Sequence, residues 1–318
     1  MSRLLQSLQR LITPALVTLA FVAALSVAAG AQPAPRPGPP PPEKKKLPAG
    51  SRGFAQFAGR DASDKLLTGA ATRGAGDANP EATALALYEQ GEQLHKAGQH
   101  AQARQKFMAA RDAFAKASRV TPDNAEIHYH LGVAYETLQQ YPEAIKAYRE
   151  AVSRTLKYPA NLFASYNLAN AHAALGQHVE AVEAYQQVLR LSPGLAMPHY
   201  NMGLSYAAIN PPRHAEAIKE FQEAIRLQPE ADKETNKQQL AQTYYNLGVT
   251  HGAAGQFGEA AVAFTNAVRL APADADVRYN LALAHITLGN RPAANAQIAA
   301  LRRTKPELAR ELSKLMPK

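Results

Sequence analysis

The sequence predicts an all-α protein: a right-handed α-solenoid of six helix-turn-helix repeats with a C-terminal capping helix. Three observations predict it. Prolines fall at Pro122, Pro159, Pro193, Pro229, Pro272 and Pro306, spaced 37, 34, 36, 43 and 34 residues apart. A small residue keeps step with them, at Gly91, Gly132, Ala169, Gly203, Gly248 and Ala282. Two landmarks recurring together near a fixed period mark a helical repeat array. The composition agrees: Ala, Leu, Glu, Gln, Lys and Arg dominate, side chains that lose little rotamer freedom in a helix, and Trp is absent.

The first element is a leader. Met1 to Arg10 carries Arg3 and Arg10 and no acid, and Leu11 to Ala29 is apolar without a charge. Ala29-Gly30-Ala31 supplies the small-x-small pattern that a signal peptidase reads, so residues 1–31 are expected to be a signal peptide with Gln32 as the new N-terminus. An apolar run of 19 residues also approaches a membrane span. The alternative is therefore an N-terminal anchor over residues 11–29, weakened by Pro14 and an Ala-rich core.

Residues 32–80 read as a disordered linker rich in Pro, Gly and Ala. Pro33, Pro35, Pro37 and the run Pro39 to Pro42 favour an extended polyproline spacer. Lys44-Lys45-Lys46 reads as a solvated charge cluster, and Ala49 to Asn79 cannot bury enough apolar surface to order itself. Phe54 and Phe57 stand out there, either as exposed rings or as a short docking motif.

Residues 81–318 hold the repeats, at about 84–122, 125–159, 162–193, 196–229, 241–272 and 275–306, with the cap over 307–316. Ala241 to Pro272 shows the logic. Tyr244, Leu247 and His251 fall at helical spacing, Gly255 stops the first helix, and Ala260, Phe264, Ala267 and Val268 share one face of the second. Pro272 ends the unit, because proline cannot continue the helical ladder. Gly248 and Ala260 let two antiparallel helices approach closely, and Phe264 fills the space beside them. One such pair leaves its other face apolar and must stack on a neighbour.

Tyr244-Tyr245-Asn246-Leu247-Gly248, then Gly255, Ala260, Phe264, Ala267 and Pro272, resembles the tetratricopeptide-repeat (TPR) signature. Similar strings recur at Tyr200-Asn201-Met202-Gly203, Tyr166-Asn167-Leu168-Ala169, Tyr279-Asn280-Leu281-Ala282 and His128-Tyr129-His130-Leu131-Gly132; Tyr88-Glu89-Gln90-Gly91 is the weakest copy. The departures carry their own expectations. The first copy runs over by about two helical turns through Ala113, Phe114 and Ala117, so its second helix is longer. The fourth has extra residues at Asn210-Pro211-Pro212 in its turn, and the insertion around Ala231 to Gln239 lengthens the next first helix. Leu308, Leu312 and Leu315 give the cap one apolar face.

The resemblance implies that the first helix of each pair lines a concave groove. Its matching positions give a tyrosine ladder, Tyr88, Tyr129, Tyr166, Tyr200, Tyr245 and Tyr279, and an asparagine ladder, Asn167, Asn201, Asn246 and Asn280, with Asn170 nearby. An amide both donates and accepts, so it can pair with a peptide backbone of any sequence, and a tyrosine offers a flat apolar face with one hydroxyl. The run is similar to the repeat arm of O-GlcNAc transferases, without their catalytic domain. The other reading of these side chains is that they brace adjacent helices. TPR domains that grip a C-terminal carboxylate use Lys and Arg here, and this chain has Tyr, Asn, Phe163, Met197 and Gln242, so such a clamp is not expected. The next turn is small and apolar, at Ala173, Ala174, Ala207, Ala208, Gly252 and Ala253.

Other chemistries find no support in the sequence. With no cysteine, disulfides, thiolate metal sites and cysteine nucleophiles are excluded. His128, His172, His199, His251 and His285 lie a repeat apart, whereas metal ligands on one helix lie three or four residues apart; packing or hydrogen bonding is the better account. The net charge is +9, but Lys and Arg exceed Asp and Glu by only three from Ala78 onward, so no basic stripe for nucleic acid runs along the repeats. No phosphate loop or nucleophile setting appears. The sequence therefore predicts no enzyme, cofactor, metal or small-molecule substrate. It predicts a periplasmic or secreted scaffold that binds a protein or peptide in its groove, touching a membrane only through an uncleaved leader. The alternative is a structural component that self-associates in an envelope complex. The oligomeric state, the partner and the process it serves stay open.

Overall fold

The computed structural model describes residues 80–154, 160–228 and 234–316. The expected leader, nearly all of the linker with Phe54 and Phe57, and the repeat-ending Pro159 and Pro229 lie outside them. The described residues form helices joined by turns, with no strand among them. None of these helices is long and apolar enough to cross a membrane. They fall into two compact units, residues 80–209 and 210–316.

In the first unit, α1 (Pro80–Lys96) pairs with α2 (His100–Val120), α3 (Ala125–Thr137) with α4 (Tyr141–Ser153), and α5 (Ala160–Ala174) with α6 (His178–Leu191), followed by α7 (Ala196–Ala208). Each helix packs on the next, and first helices also touch across repeats, α3 with α5 and α5 with α7. The second unit holds α8 (His214–Leu227), α9 (Glu234–Ala253), α10 (Phe257–Leu270), α11 (Ala275–Thr287), α12 (Arg291–Thr304) and α13 (Pro306–Leu315), packed in the same serial way.

The close approach inside each pair has a measurable cause. A Cβ on Gly91 would lie 2.7 Å from the Phe107 ring, one on Gly132 2.5 Å from Tyr148, and one on Gly248 2.7 Å from Phe264. The missing methyl is the seat of the large ring opposite, and Tyr148 and Phe264 are fully buried in those seats. The turns within pairs are equally regular. Gly98, Gly176, Gly255 and Gly289 have φ between +71° and +78°, where a side chain is strained, and the following residue's N–H returns to the carbonyl five residues back, as Gln256 does to His251 at 2.8 Å. In the second pair Gln139 takes that place with φ +62°.

The irregularities match their sequence signals. At 21 residues α2 is the longest helix, and its added turns bury Phe114 and Ala117. The insertion before the fifth copy lengthens α9 to 20 residues, and Asn210-Pro211-Pro212 lies in the turn between α7 and α8. Helix α13 covers the last pair, packing on α11 and α12 through buried Ala309 and Leu312.

Candidate functional site

The two ladders lie on the first helices, and the structure shows how their members are tied. In the first unit Asn201 on α7 donates through Nδ2 to the Tyr166 hydroxyl on α5 at 2.9 Å and to Asn170 Oδ1 at 3.2 Å. Tyr185 on α6 donates its hydroxyl to the same Asn170 oxygen at 2.6 Å. One repeat earlier, buried Asn167 hydrogen-bonds the Tyr129 hydroxyl. In the second unit Asn280 on α11 donates to the Tyr245 hydroxyl on α9 at 3.3 Å and to the Asp276 carbonyl at 3.0 Å. The pattern repeats: an asparagine reaches back to the tyrosine of the preceding first helix. These side chains therefore brace adjacent repeats.

The remaining ladder residues vary. The Tyr88 hydroxyl lies 2.9 Å from Thr137 Oγ1 on α3. Tyr279 donates to Glu311 Oε1 on the capping helix at 2.9 Å. Gln242 donates to Asn246 Oδ1 at 3.4 Å. Tyr166, Asn167 and Asn280 are buried, whereas Tyr129, Asn170, Tyr200, Asn201, Tyr245, Asn246 and Tyr279 remain part-exposed. The set thus belongs to one type of face in each unit.

Burial governs the acid–base character of this face. It pushes the phenols of Tyr88, Tyr129, Tyr148, Tyr166 and Tyr185 above their usual range, so all are neutral hydrogen-bonding groups near pH 7. It pushes Glu136, in the last turn of α3, up to about 7, while the 2.6 Å bond donated by the Tyr148 hydroxyl works against the rise. His130 is lowered to about 4 by burial, stacked on Phe114 with ring centroids 5.6 Å apart.

Glu136 is the residue that reasoning on ladders passes over. It occupies the turn where the next three repeats carry Ala173, Ala207 and Gly252 and the last carries Ile286, so from the second repeat onward it is the one charged residue at this place. That break in periodicity was its signal. Three of the repeat-spaced histidines take structural partners. His172 Nδ1 lies 2.7 Å from Gln177 Oε1, His251 Nδ1 2.6 Å from Gln256 Oε1, and His128 Nε2 2.8 Å from the Pro122 carbonyl. Among the described residues no three His, Asp or Glu side chains gather as metal ligands would.

Comparison with known proteins bears on the fold. A family model described as tetratricopeptide repeat matches residues 95–159, 139–196 and 166–232, and a second of the same description matches 253–316. Among solved structures, YrrB, "a TPR protein with an unusual peptide-binding site", is 18% identical with a TM-score of 0.52, over 64% of this chain and 99% of that one. PilW, a "widely conserved type IV pilus biogenesis factor", is 18% identical with a TM-score of 0.52, over 72% of this chain and 98% of that one. The APC/C hetero-tetramer Cut9-Hcn1 matches at 21% identity and a TM-score of 0.50, over 86% of this chain and 49% of the other. At such identities the likeness is one of fold. No curated protein matches the chain.

Proposed function

The chain belongs to the tetratricopeptide-repeat family, and on that premise we propose that it is an exported, non-catalytic scaffold that binds an extended segment of a partner protein along its first helices. One observation carries the reading. Asn201 and Asn280 direct their amide donors into the fold, and their Oδ1 atoms accept no hydrogen bond among the described residues. The braces thereby fix two acceptors in place, and an extended peptide brings backbone N–H groups that need acceptors. A pre-oriented amide loses little side-chain entropy on binding. The family fold supports the reading, as does the peptide-binding site named for YrrB. The export reading rests on the charged start, apolar stretch and small-x-small site of residues 1–31.

The test is affinity capture from the exported fraction with the full-length chain and with a variant carrying Asn201→Ala and Asn280→Ala. The wild type is expected to retain a specific partner and the variant to lose it, with the helical circular dichroism of both alike. A variant that keeps the partner sinks the groove reading. The N-terminal mass of the secreted chain checks cleavage after Ala31.

A further inference from the structure

Glu136 presents a problem that the fold does not solve by itself. Its carboxylate accepts one hydrogen bond, from the Tyr148 hydroxyl at 2.6 Å, and among the described residues no Lys, Arg or His forms an ion pair with it. Three arginines of this unit are engaged elsewhere. Arg111 holds Asp112 and Gln140, Arg149 lies 3.3 Å from His172, and Arg154 pairs with Glu150. Tyr148 holds the acid by its hydroxyl, and the charge of Glu136 also helps to raise the phenols of Tyr88, Tyr129, Tyr141, Tyr148, Tyr166 and Tyr185, which come from α1, α3, α4, α5 and α6. Yet Glu136 is not sealed in, for its side chain remains part-exposed.

A carboxylate drawn out of water without a countercharge is costly. The later repeats avoid the cost with an uncharged residue at this place, Ala173, Ala207, Gly252 and Ile286. Phenol rings attract cations to their faces, and more so where water is excluded. A lone carboxylate among tyrosines is therefore complementary to one cationic head on an apolar stem. We infer that the groove of the first unit binds a segment of its partner that carries a lysine or arginine, with the cationic head against Glu136 and the stem along Tyr129 and Tyr141, the tyrosines of this set that keep exposed surface. This rests on the groove reading above and adds the chemistry that the occupant must bring.

The experiment is display selection of random peptides against the full-length chain and against Glu136→Gln. Wild type is expected to enrich peptides with Lys or Arg at one fixed position, and the variant to lose that preference. The best wild-type peptide should bind Glu136→Gln roughly thirtyfold more weakly. Its Lys→norleucine analogue should bind wild type with a similar loss, and the two changes together should cost little more than either alone. A thermal melt guards against a trivial cause, because removing an uncompensated charge should raise the melting temperature of the variant. Enriched peptides without a basic position, or an unchanged preference in Glu136→Gln, would overturn this inference and leave the groove reading standing. Failure to enrich any peptide with wild type would overturn both.

Discussion

The second and fifth helix pairs solve one packing problem with different chemistry. In the fifth, Phe264 sits over Gly248 with its ring 5.9 Å from Tyr245. In the second, Tyr148 sits over Gly132 with its ring 6.2 Å from Tyr129. Both rings are fully buried. The difference is one hydroxyl and what it requires. A buried phenol needs a partner, and Glu136 supplies it at 2.6 Å. Phenylalanine needs none, and Gly252 stands where the acid would be. Both pairs therefore keep their close spacing through a ring seated on glycine, and the phenol of the second brings a polar partner with it.

The largest expected effect falls on what the two pairs share. Phe264→Ala should destabilise the protein by about 4 kcal/mol, since it removes a ring filling a fitted space. Gly248→Ala alone should cost about 2 kcal/mol, because its Cβ would press on that ring. In the Phe264→Ala background the same methyl should be nearly neutral, and chemical denaturation of the four proteins measures the coupling. If the two losses simply add, the glycine is not the seat of the ring.

That shared part was legible in the sequence; the part that differs was not. A glycine and an aromatic recurring with the repeat reveal the seat, because every pair faces the same geometric demand. The longer α2 and α9 were also readable, as apolar or helix-forming residues in excess of the period. The ladders were legible as positions but open as to role: Tyr166 and Asn201 recur whether they touch a ligand or each other. Only coordinates show Nδ2 of Asn201 turned to the Tyr166 hydroxyl. Glu136 lay deeper still: the break in the repeat marks its position, but its character comes from burial among residues of neighbouring repeats.

The next effect breaks the comparison at the acid itself. Burial holds the Glu136 carboxyl at about 7, against 4.5 when unperturbed. The folded chain keeps its proton between those values while the unfolded chain releases it. This group therefore favours folding most below pH 4.5, loses that advantage as pH rises toward 7, and changes little above. Glu136→Gln should erase this slope. Near pH 8 the variant should be more stable than wild type by about 3 kcal/mol, with the two converging near pH 4.5. Tyr148→Phe should act in the opposite sense, costing about 1–3 kcal/mol at pH 8, where the carboxylate loses its hydrogen bond, and less at pH 5. Urea titrations at several pH values decide both. A wild-type protein with no such slope would show that Glu136 is solvated and needs no countercharge.

The smallest effect concerns the turn that follows Glu136. Four pairs turn on glycines, whereas the second turns on Gln139 at φ +62°. A side chain in this left-handed region costs about 1–2 kcal/mol, and glycine gives back roughly half of the relief through its greater freedom in the unfolded chain. Gln139→Gly should therefore stabilise by about 0.5–1 kcal/mol, and Gly255→Gln in the fifth pair should destabilise by a similar amount. The two turns share their closing bond, from Gln140 N to the Tyr135 carbonyl at 2.9 Å and from Gln256 N to the His251 carbonyl at 2.8 Å. Backbone conformation is then shared, and what differs is the residue that must adopt it. Since the Gln139 side chain is exposed, the gain should come with unchanged affinity for a basic peptide. If stability rises and affinity falls together, the strain in this turn belongs to the binding face rather than to the turn.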